Sequence, residues 1–216
     1  MTDTEIEEAI ESAVRKAGTS NVSPERKRQL GEYIRQVDSW GERMHLVGKG
    51  RQGATLGLLL LDSLLLLRAA EEGVPGARKA ADIGSGAGFP GMVWKIIRPE
   101  LGVTLFERKL KPQGFLERIA GSLRLDRIEI FGGDAVDYDS PEVFDVVVSK
   151  AAGRLQSLLP IAERLLRNDG AYLTIKGSSW RSEVSGSEEG SIRFESAANL
   201  PDNRGTALLF RKVLTR

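Results

Sequence analysis

Ala80-Ala81-Asp82-Ile83-Gly84-Ser85-Gly86-Ala87-Gly88-Phe89-Pro90-Gly91 reads as a short apolar strand that runs into three alternate glycines and a proline opening a helix. Glycine at 84, 86 and 88 lets the backbone turn sharply and approach a ligand with no Cβ in the way, and Pro90 suits a first helical turn whose N–H needs no partner. A turn of this kind, at the carboxyl end of a strand, is where open α/β sheets bind their ligands. Outward from it, short apolar runs alternate with helical patterns, the signature of a parallel sheet with crossover helices. The expected strands are 79–83, 103–106, 127–131, 144–149 and 171–175, with helices near 90–97, 112–123 and 155–166. Two further extended segments, 191–196 and 206–213, have no helical pattern between them and predict a terminal antiparallel hairpin. The stretch 178–190, rich in Ser, Gly and Glu, reads as a mobile loop.

Upstream of Gly73-Val74-Pro75-Gly76 the pattern is helical, which divides the chain into an N-terminal helical region, 1–72, and an α/β domain, 73–216. Ile6, Ile10 and Val14 repeat at helical spacing behind an acidic first turn. Ser23-Pro24-Glu25 offers an N-cap and a helix-opening proline, followed by the stripe Leu30, Tyr33, Ile34, Val37, Trp40 and Met44, with an end expected near Leu46. The leucine-rich stretch 56–67 is apolar nearly all round and is expected to be sandwiched. It holds Asp62 and Ser63 and falls short of the roughly 20 apolar residues a bilayer demands.

Composition removes several functions. The 216 residues contain no cysteine, so disulfides, thiolate metal sites and thiol nucleophiles are excluded, and the single histidine, His45, cannot build a multi-imidazole zinc site. No metal is expected. The 31 basic and 30 acidic residues nearly cancel, so a nucleic-acid partner would be met by a local basic face. The acidic N-terminus lacks a basic leader and an apolar segment, which points to the cytoplasm.

The glycine spacing separates cofactors. A dinucleotide fingerprint would need its third glycine at 89, where this chain has phenylalanine, which disfavours NAD. Three alternate glycines behind an acidic residue instead resemble an S-adenosylmethionine loop, built here by Gly84, Ser85, Gly86 and Gly88. Glu107 ends the second strand, where a carboxylate can accept hydrogen bonds from both ribose hydroxyls. Asp134, after the third strand, is placed to bracket the adenine, with Ala135 and Val136 at the pocket edge.

For the methyl acceptor, C5 of a pyrimidine commonly needs a cysteine that the chain lacks. Exocyclic amines usually go with an Asn/Asp-Pro-Pro-aromatic box, and the fourth strand ends instead in Val148-Ser149-Lys150-Ala151-Ala152. Guanine N7 carries no proton to remove and requires only positioning. A small-molecule or protein acceptor fits the same absence of acid–base machinery. Arg108, Lys109, Lys111, Arg118, Arg124 and Arg127 form one basic cluster and Arg204, Arg211, Lys212 and Arg216 another. Lys109 and Lys111, nearest the cleft, are the candidates for RNA phosphate contact. Trp40 and His45 read as packing residues.

Trp40 with His45-Leu46-Val47, Leu61-Asp62-Ser63-Leu64, Asp82 through Gly91, Arg98-Pro99-Glu100, Lys111 with Phe115-Leu116, Phe144-Asp145, Ser149-Lys150-Ala151 and Lys176-Gly177 match one pattern together. With them the chain, from about Leu30 onward, resembles the bacterial small-subunit rRNA guanine-N7 methyltransferases of the RsmG (GidB) family. The resemblance implies a class I, Rossmann-like α/β sheet with an N-terminal helical extension. It implies S-adenosylmethionine contacts at Gly84, Phe89, Ala135, Val136 and Lys150, and an acceptor guanine in 16S rRNA or the small ribosomal subunit; the protein itself is expected to be a monomer. Ser149 and Lys150 then sit beside the methionine moiety or the acceptor, and Asp62 helps orient the target. The chain departs from the family at Leu59-Leu60, where an Arg-His pair is usual, at Lys150 for arginine, and at Asp134-Ala135-Val136 for Arg-Ala-Glu. A divergent methyltransferase with another acceptor, or a non-catalytic RNA-binding relative, is the alternative.

Overall fold

The structure is a computed structural model that describes residues 1–19, 22–44, 52–185 and 190–214, with backbone alone for 41–44 and 52–54. His45, the expected end of the second helix and Arg216 lie outside the described residues. Seven strands form one sheet: β1 (Lys79–Ile83), β2 (Gly102–Phe106), β3 (Ile128–Phe131), β4 (Phe144–Lys150), β5 (Leu166–Lys176), β6 (Ile192–Asn199) and β7 (Thr206–Lys212). Their order is β3-β2-β1-β4-β5-β7-β6. The first five run parallel, and β7 returns antiparallel between β5 and β6 as the expected hairpin. The chain leaves β1 toward β2 on one side and reaches β4 on the other, so the carboxyl ends of β1 and β4 flank the topological switch point where such sheets bind ligands.

Among the described residues three helices precede the sheet, α1 (Asp3–Ala17), α2 (Pro24–Met44) and α3 (Gln52–Gly73). The crossovers carry α4 (Gly91–Ile97), α5 (Leu110–Ser122) and α6 (Leu155–Leu165). A short α7 (Trp180–Ser185) lies within the stretch expected to be a loop. Its indole stacks 5.8 Å from Phe194 of β6 and gives that turn of helix a surface to rest on. Thr2 caps α1 through a reciprocal pair with Glu5, and Gly18 closes it in the left-handed conformation. Among the described residues no helix is long and apolar enough to cross a membrane.

Side chains alternate across the sheet, so it has two cores. On one face Ala80, Val103, Val146 and Val148 pack with α4, α5 and all three N-terminal helices. On the other, Ala81, Val147 and Tyr172 pack with Leu155, Leu158 and Ala162 of α6. The leucine-rich stretch of α3 is apolar nearly all round, and Leu60, Leu61, Leu64, Leu66 and Leu67 are all buried in that first core among α1, α4 and the sheet. The N-terminal region and the sheet thus share a core.

One bond ties α2 directly to the glycine turn. Tyr33 is fully buried, and its hydroxyl donates to the Ala87 carbonyl at 2.8 Å while its ring lies 5.2 Å from Phe89. Burial, and secondarily the Asp82 charge, holds the phenol well above its ordinary pKa, so it stays a donor. Tyr33→Phe leaves the ring in place and strips a buried carbonyl of its partner. A loss of about 1–3 kcal/mol in urea unfolding is expected; an unchanged midpoint would show that Ala87 finds water instead.

Candidate active site

The turn after β1 is held by backbone bonds on all sides. Gly84 N and Ser85 N donate to Phe106 O at 2.9 and 3.1 Å, Gly88 N donates to Ser85 O at 2.7 Å, and Ser85 Oγ donates to Asp82 O at 2.9 Å. Gly84, Gly86 and Gly88 all have positive φ. At Gly88 the demand is double: φ is +99°, and a Cβ would stand 2.8 Å from Met92 Cβ and 3.1 Å from the Tyr33 hydroxyl. Gly91 is required by proximity alone, since a Cβ there would lie 2.4 Å from Leu105 and 2.8 Å from Asp82. Pro90 falls just before α4, at its N-cap.

Asp82 anchors the far side of the turn. Its Oδ2 accepts from Gly91 N at 2.9 Å, while its buried Oδ1 has no partner. Burial pushes its carboxyl up to about 6, against the lowering effects of the Gly91 N–H and the Lys150 charge.

Glu107, directly after β2, is nearly buried, and each of its carboxylate oxygens accepts one backbone N–H: Oε2 from Gly86 and Oε1 from Lys109, both at 2.8 Å. Gln113 donates to its carbonyl at 2.8 Å. The carboxylate is therefore locked toward the turn, with a lone pair free on each oxygen for a diol. Beyond β3, Asp134 caps a short 3-10 turn by accepting from Val136 N at 3.3 Å and pairs with Arg108 at 3.2 Å, its carboxylate already in use. Ala135 is buried against the sheet, Val136 is half exposed, and Leu110, which the sequence reading passed over, is 81% exposed. Two uncovered apolar side chains following β2 and β3 provide surface for a flat ring; only the fold reveals that they are uncovered.

The parity of β4 separates the two residues read together at its end. Ser149 is fully buried and faces α6, with its Oγ 2.7 Å from the Tyr172 hydroxyl and donating to Thr174 Oγ1 at 3.4 Å, so it braces β4 against β5. Lys150 shares the other face with Val148 and Asp82, toward α3. The register pairs Ile83 with Ser149, which brings Lys150 level with Gly84. Desolvation lowers the Lys150 pKa, and Asp62 and Asp82 are the charges that oppose the shift. Asp62 reaches this face from α3 and accepts from Arg204 Nη1 at 2.7 Å. Burial raises its pKa, and Arg204 and Lys150 pull it back. Arg204, between β6 and β7, reads from sequence as no more than a member of a basic cluster; its Nε and Nη2 are buried without a partner. Lys176 donates to Gly153 O and pairs with Glu183 of α7 at 3.0 Å.

The basic clusters divide in the fold. Arg108, Lys109 and Lys111 are exposed at the carboxyl end of β2, beside the turn. Arg118 instead covers the Trp40 ring at 4.7 Å, which makes Trp40 a packing residue, and Arg124 and Arg127 lie at the opposite end of α5. Arg211 pairs with Glu195, and Lys212 with Glu142. Among the described residues no group of three or more acidic or histidine side chains is placed to hold a metal.

Comparison with known proteins gives this geometry a lineage. Residues 26–200 match the family GidB, described as rRNA small subunit methyltransferase G. The ribosomal RNA small subunit methyltransferase G of Sorangium cellulosum is 35% identical over 159 residues, covering 72% of this chain and 66% of that protein. That of Desulfitobacterium hafniense is 34% identical over 156 residues, 70% of this chain and 63% of that protein, so the match spans about two thirds of these relatives. The crystal structure of tRNA (m1A58) methyltransferase TrmI from Aquifex aeolicus superposes with a TM-score of 0.53 at 13% identity, over 71% of this chain and 69% of that one. The sheet order, the turn at the switch point and that likeness give the class I, Rossmann-like methyltransferase fold. With the family match covering six of the seven strands, the turn, nearly all of α2 and the whole of α3, the chain belongs to the GidB family, rRNA small subunit methyltransferase G.

Proposed function

We propose that the protein transfers a methyl group from S-adenosylmethionine to N7 of a guanine in 16S rRNA, acting on the small ribosomal subunit in the cytoplasm. The observation that carries the donor is Glu107: a nearly buried carboxylate, aimed at the turn by two backbone N–H groups, with one lone pair left on each oxygen. Bound S-adenosylmethionine supplies an electrophilic methyl group. Gly84, Ser85, Gly86 and Gly88 shape the turn, Phe89 and Tyr33 hold it from beneath, and Glu107 accepts from the ribose hydroxyls. Val136 and Leu110 offer apolar surface to the adenine, with Ala135 fixing the backbone between them and Asp134 keeping that turn capped. Lys150 stands level with Gly84, beside the methionine moiety or the acceptor, and Asp62 faces it from α3. No side chain has to remove a proton, because guanine N7 has none, so the task of the protein is orientation and exclusion of water. Exposed Lys109 and Lys111 flank the turn as phosphate contacts for RNA, and Ser149 acts indirectly, by fixing the end of β4 from which Lys150 projects.

Glu107→Ala should weaken S-adenosylmethionine binding about thirtyfold, near 2 kcal/mol, in calorimetry; unchanged affinity would remove the donor assignment. For the acceptor, 16S rRNA from cells with and without the gene would be mapped for 7-methylguanine. Loss of one modified position on deletion is expected, and identical maps would refute the rRNA substrate.

A further inference from the structure

Between α3 and the carboxyl ends of β1 and β4 lies a four-charge cluster, Asp62, Asp82, Lys150 and Arg204, whose hydrogen-bonding capacity is only half used. Asp62 is matched to Arg204 Nη1, and Asp82 Oδ2 is matched to Gly91 N. Left over are two parallel donors on one edge of the guanidinium, Nε and Nη2, and one carboxylate oxygen, Asp82 Oδ1, all buried and without partners. Lys150 makes no hydrogen bond or ion pair among the described residues. An unpaired buried polar atom typically costs about 1–3 kcal/mol, so three such atoms beside a half-buried lysine describe a site completed by a ligand.

The chemistry of that ligand can be read from the leftovers. The Nε/Nη2 edge of arginine is the fork that meets both oxygens of a carboxylate, and the flanking lysine adds a point charge to the same anion. A lone carboxylate oxygen suits an ammonium. Two cationic donors and one anionic acceptor are the complement of the zwitterionic end of an α-amino acid. The position agrees: Lys150 is level with Gly84, and Gly84 would touch Ala152 if it carried a Cβ, so the cluster borders the donor turn. The side chains of Arg204 and Asp62 are 18% and 14% exposed, too enclosed for the phosphate backbone of an RNA chain.

On the reading that the turn holds S-adenosylmethionine, we infer that Arg204, oriented by Asp62, binds the methionine carboxylate of the donor together with Lys150. Arg204 is then a binding residue and Asp62 a positioning residue. Their pairing joins α3 to the β6–β7 connection across the donor site, so the N-terminal helices take part in cofactor binding as well as in packing.

Two probes separate the ends of the donor: S-adenosylhomocysteine, which carries the amino-acid group, and 5′-methylthioadenosine, which lacks it. Calorimetry on the full chain is expected to show Arg204→Ala binding S-adenosylhomocysteine at least tenfold more weakly, with 5′-methylthioadenosine unaffected. Arg204→Lys keeps a counter-charge for Asp62 and so protects the fold, but loses the fork; it should show the same selective loss, smaller in size. Asp62→Asn, which frees the guanidinium to swing, should also weaken only the amino-acid ligand. Equal weakening of both probes, or of neither, in the lysine variant would overturn the role of Arg204. If the unaltered protein bound neither probe, the donor reading itself would fall and this inference with it, whereas tight binding of both by the unaltered protein with no selective loss would overturn this inference alone.

Discussion

Replacing Trp94 with alanine is expected to destabilise the protein by about 4 kcal/mol, a large share of the roughly 5–15 kcal/mol that holds a domain of this size together. Trp94 is the largest side chain that is fully buried, and it sits on α4 in the core shared by the sheet and the N-terminal helices. Its removal opens a cavity that the neighbouring helices and the sheet can only partly fill, and cavities of that kind dominate the cost of large-to-small changes. A second loss adds to the first. The indole Nε1 donates to the carbonyl of Ser63 at 2.8 Å, a buried bond across α3 and α4. Trp94→Phe separates the two, since it keeps most of the volume and drops the donor; about 1–3 kcal/mol is expected for it. Urea unfolding at 25 °C measures both, and a loss below about 1.5 kcal/mol for the alanine variant would mean that this layer is loosely packed. The bond also has a functional consequence. Ser63 follows Asp62 in α3, so the indole pins the helix segment that presents Asp62 to Arg204.

Pattern and spacing were enough to locate the turn, all seven strands and the antiparallel return of β7, because each rests on local periodicity or on glycine and proline chemistry. Glu107 was legible for the same reason, as a carboxylate at the end of a strand a fixed distance from the first glycine. Contacts between distant segments were not legible. Arg204 and Asp62 are 142 residues apart, and no periodicity in either segment points to the other. Ser149 and Lys150 looked equivalent as neighbours at a strand end, yet alternation sends one hydroxyl into the α6 core and the other side chain toward α3. The basic cluster around α5 looked like one face because its members are close in sequence; a helix of 13 residues carries its two ends roughly 20 Å apart, at 1.5 Å per residue, and only one end reaches the turn. Tyr33 was read correctly as apolar stripe and incompletely as chemistry, since its hydroxyl partner belongs to another element. The helix α7 was hidden by composition: a polar, serine-rich stretch reads as loop until Trp180 is seen against Phe194.

Asp82→Asn is expected to stabilise the fold at neutral and alkaline pH, by about 3 kcal/mol at pH 8, while weakening the site that the charge serves. In the folded protein burial raises the Asp82 carboxyl from an ordinary 3.8 to about 6. The native state therefore holds a proton between those values that the unfolded chain has already released, so the stability conferred by Asp82 is full below about pH 4 and is lost as pH rises through 6. A shift of that size corresponds to about 3 kcal/mol once both states are ionised, at roughly 1.4 kcal/mol per pH unit. Asparagine accepts the same Gly91 N–H through its amide oxygen and has no charge to desolvate, so the variant escapes the penalty. The comparison must be between the two proteins at each pH, because Asp145, Glu183 and Glu195 have lowered pKa values and bend the stability curve of both in the opposite sense. Their contribution cancels in the difference, which should be below about 1 kcal/mol at pH 4, rise steeply to pH 6 and flatten by pH 8. Urea unfolding of both proteins across that range gives the curve directly; a difference that stays constant with pH would show that Asp82 is not the group that titrates. Retention of so costly a carboxylate is understandable where it faces Lys150 at the rim of the donor turn, since a buried negative charge there balances cations that a fully apolar floor would leave unopposed. Stability is commonly forfeited for function at such places. The accompanying expectation is that Asp82→Asn binds S-adenosylhomocysteine more weakly than the unaltered protein at pH 8, even though it unfolds at a higher urea concentration.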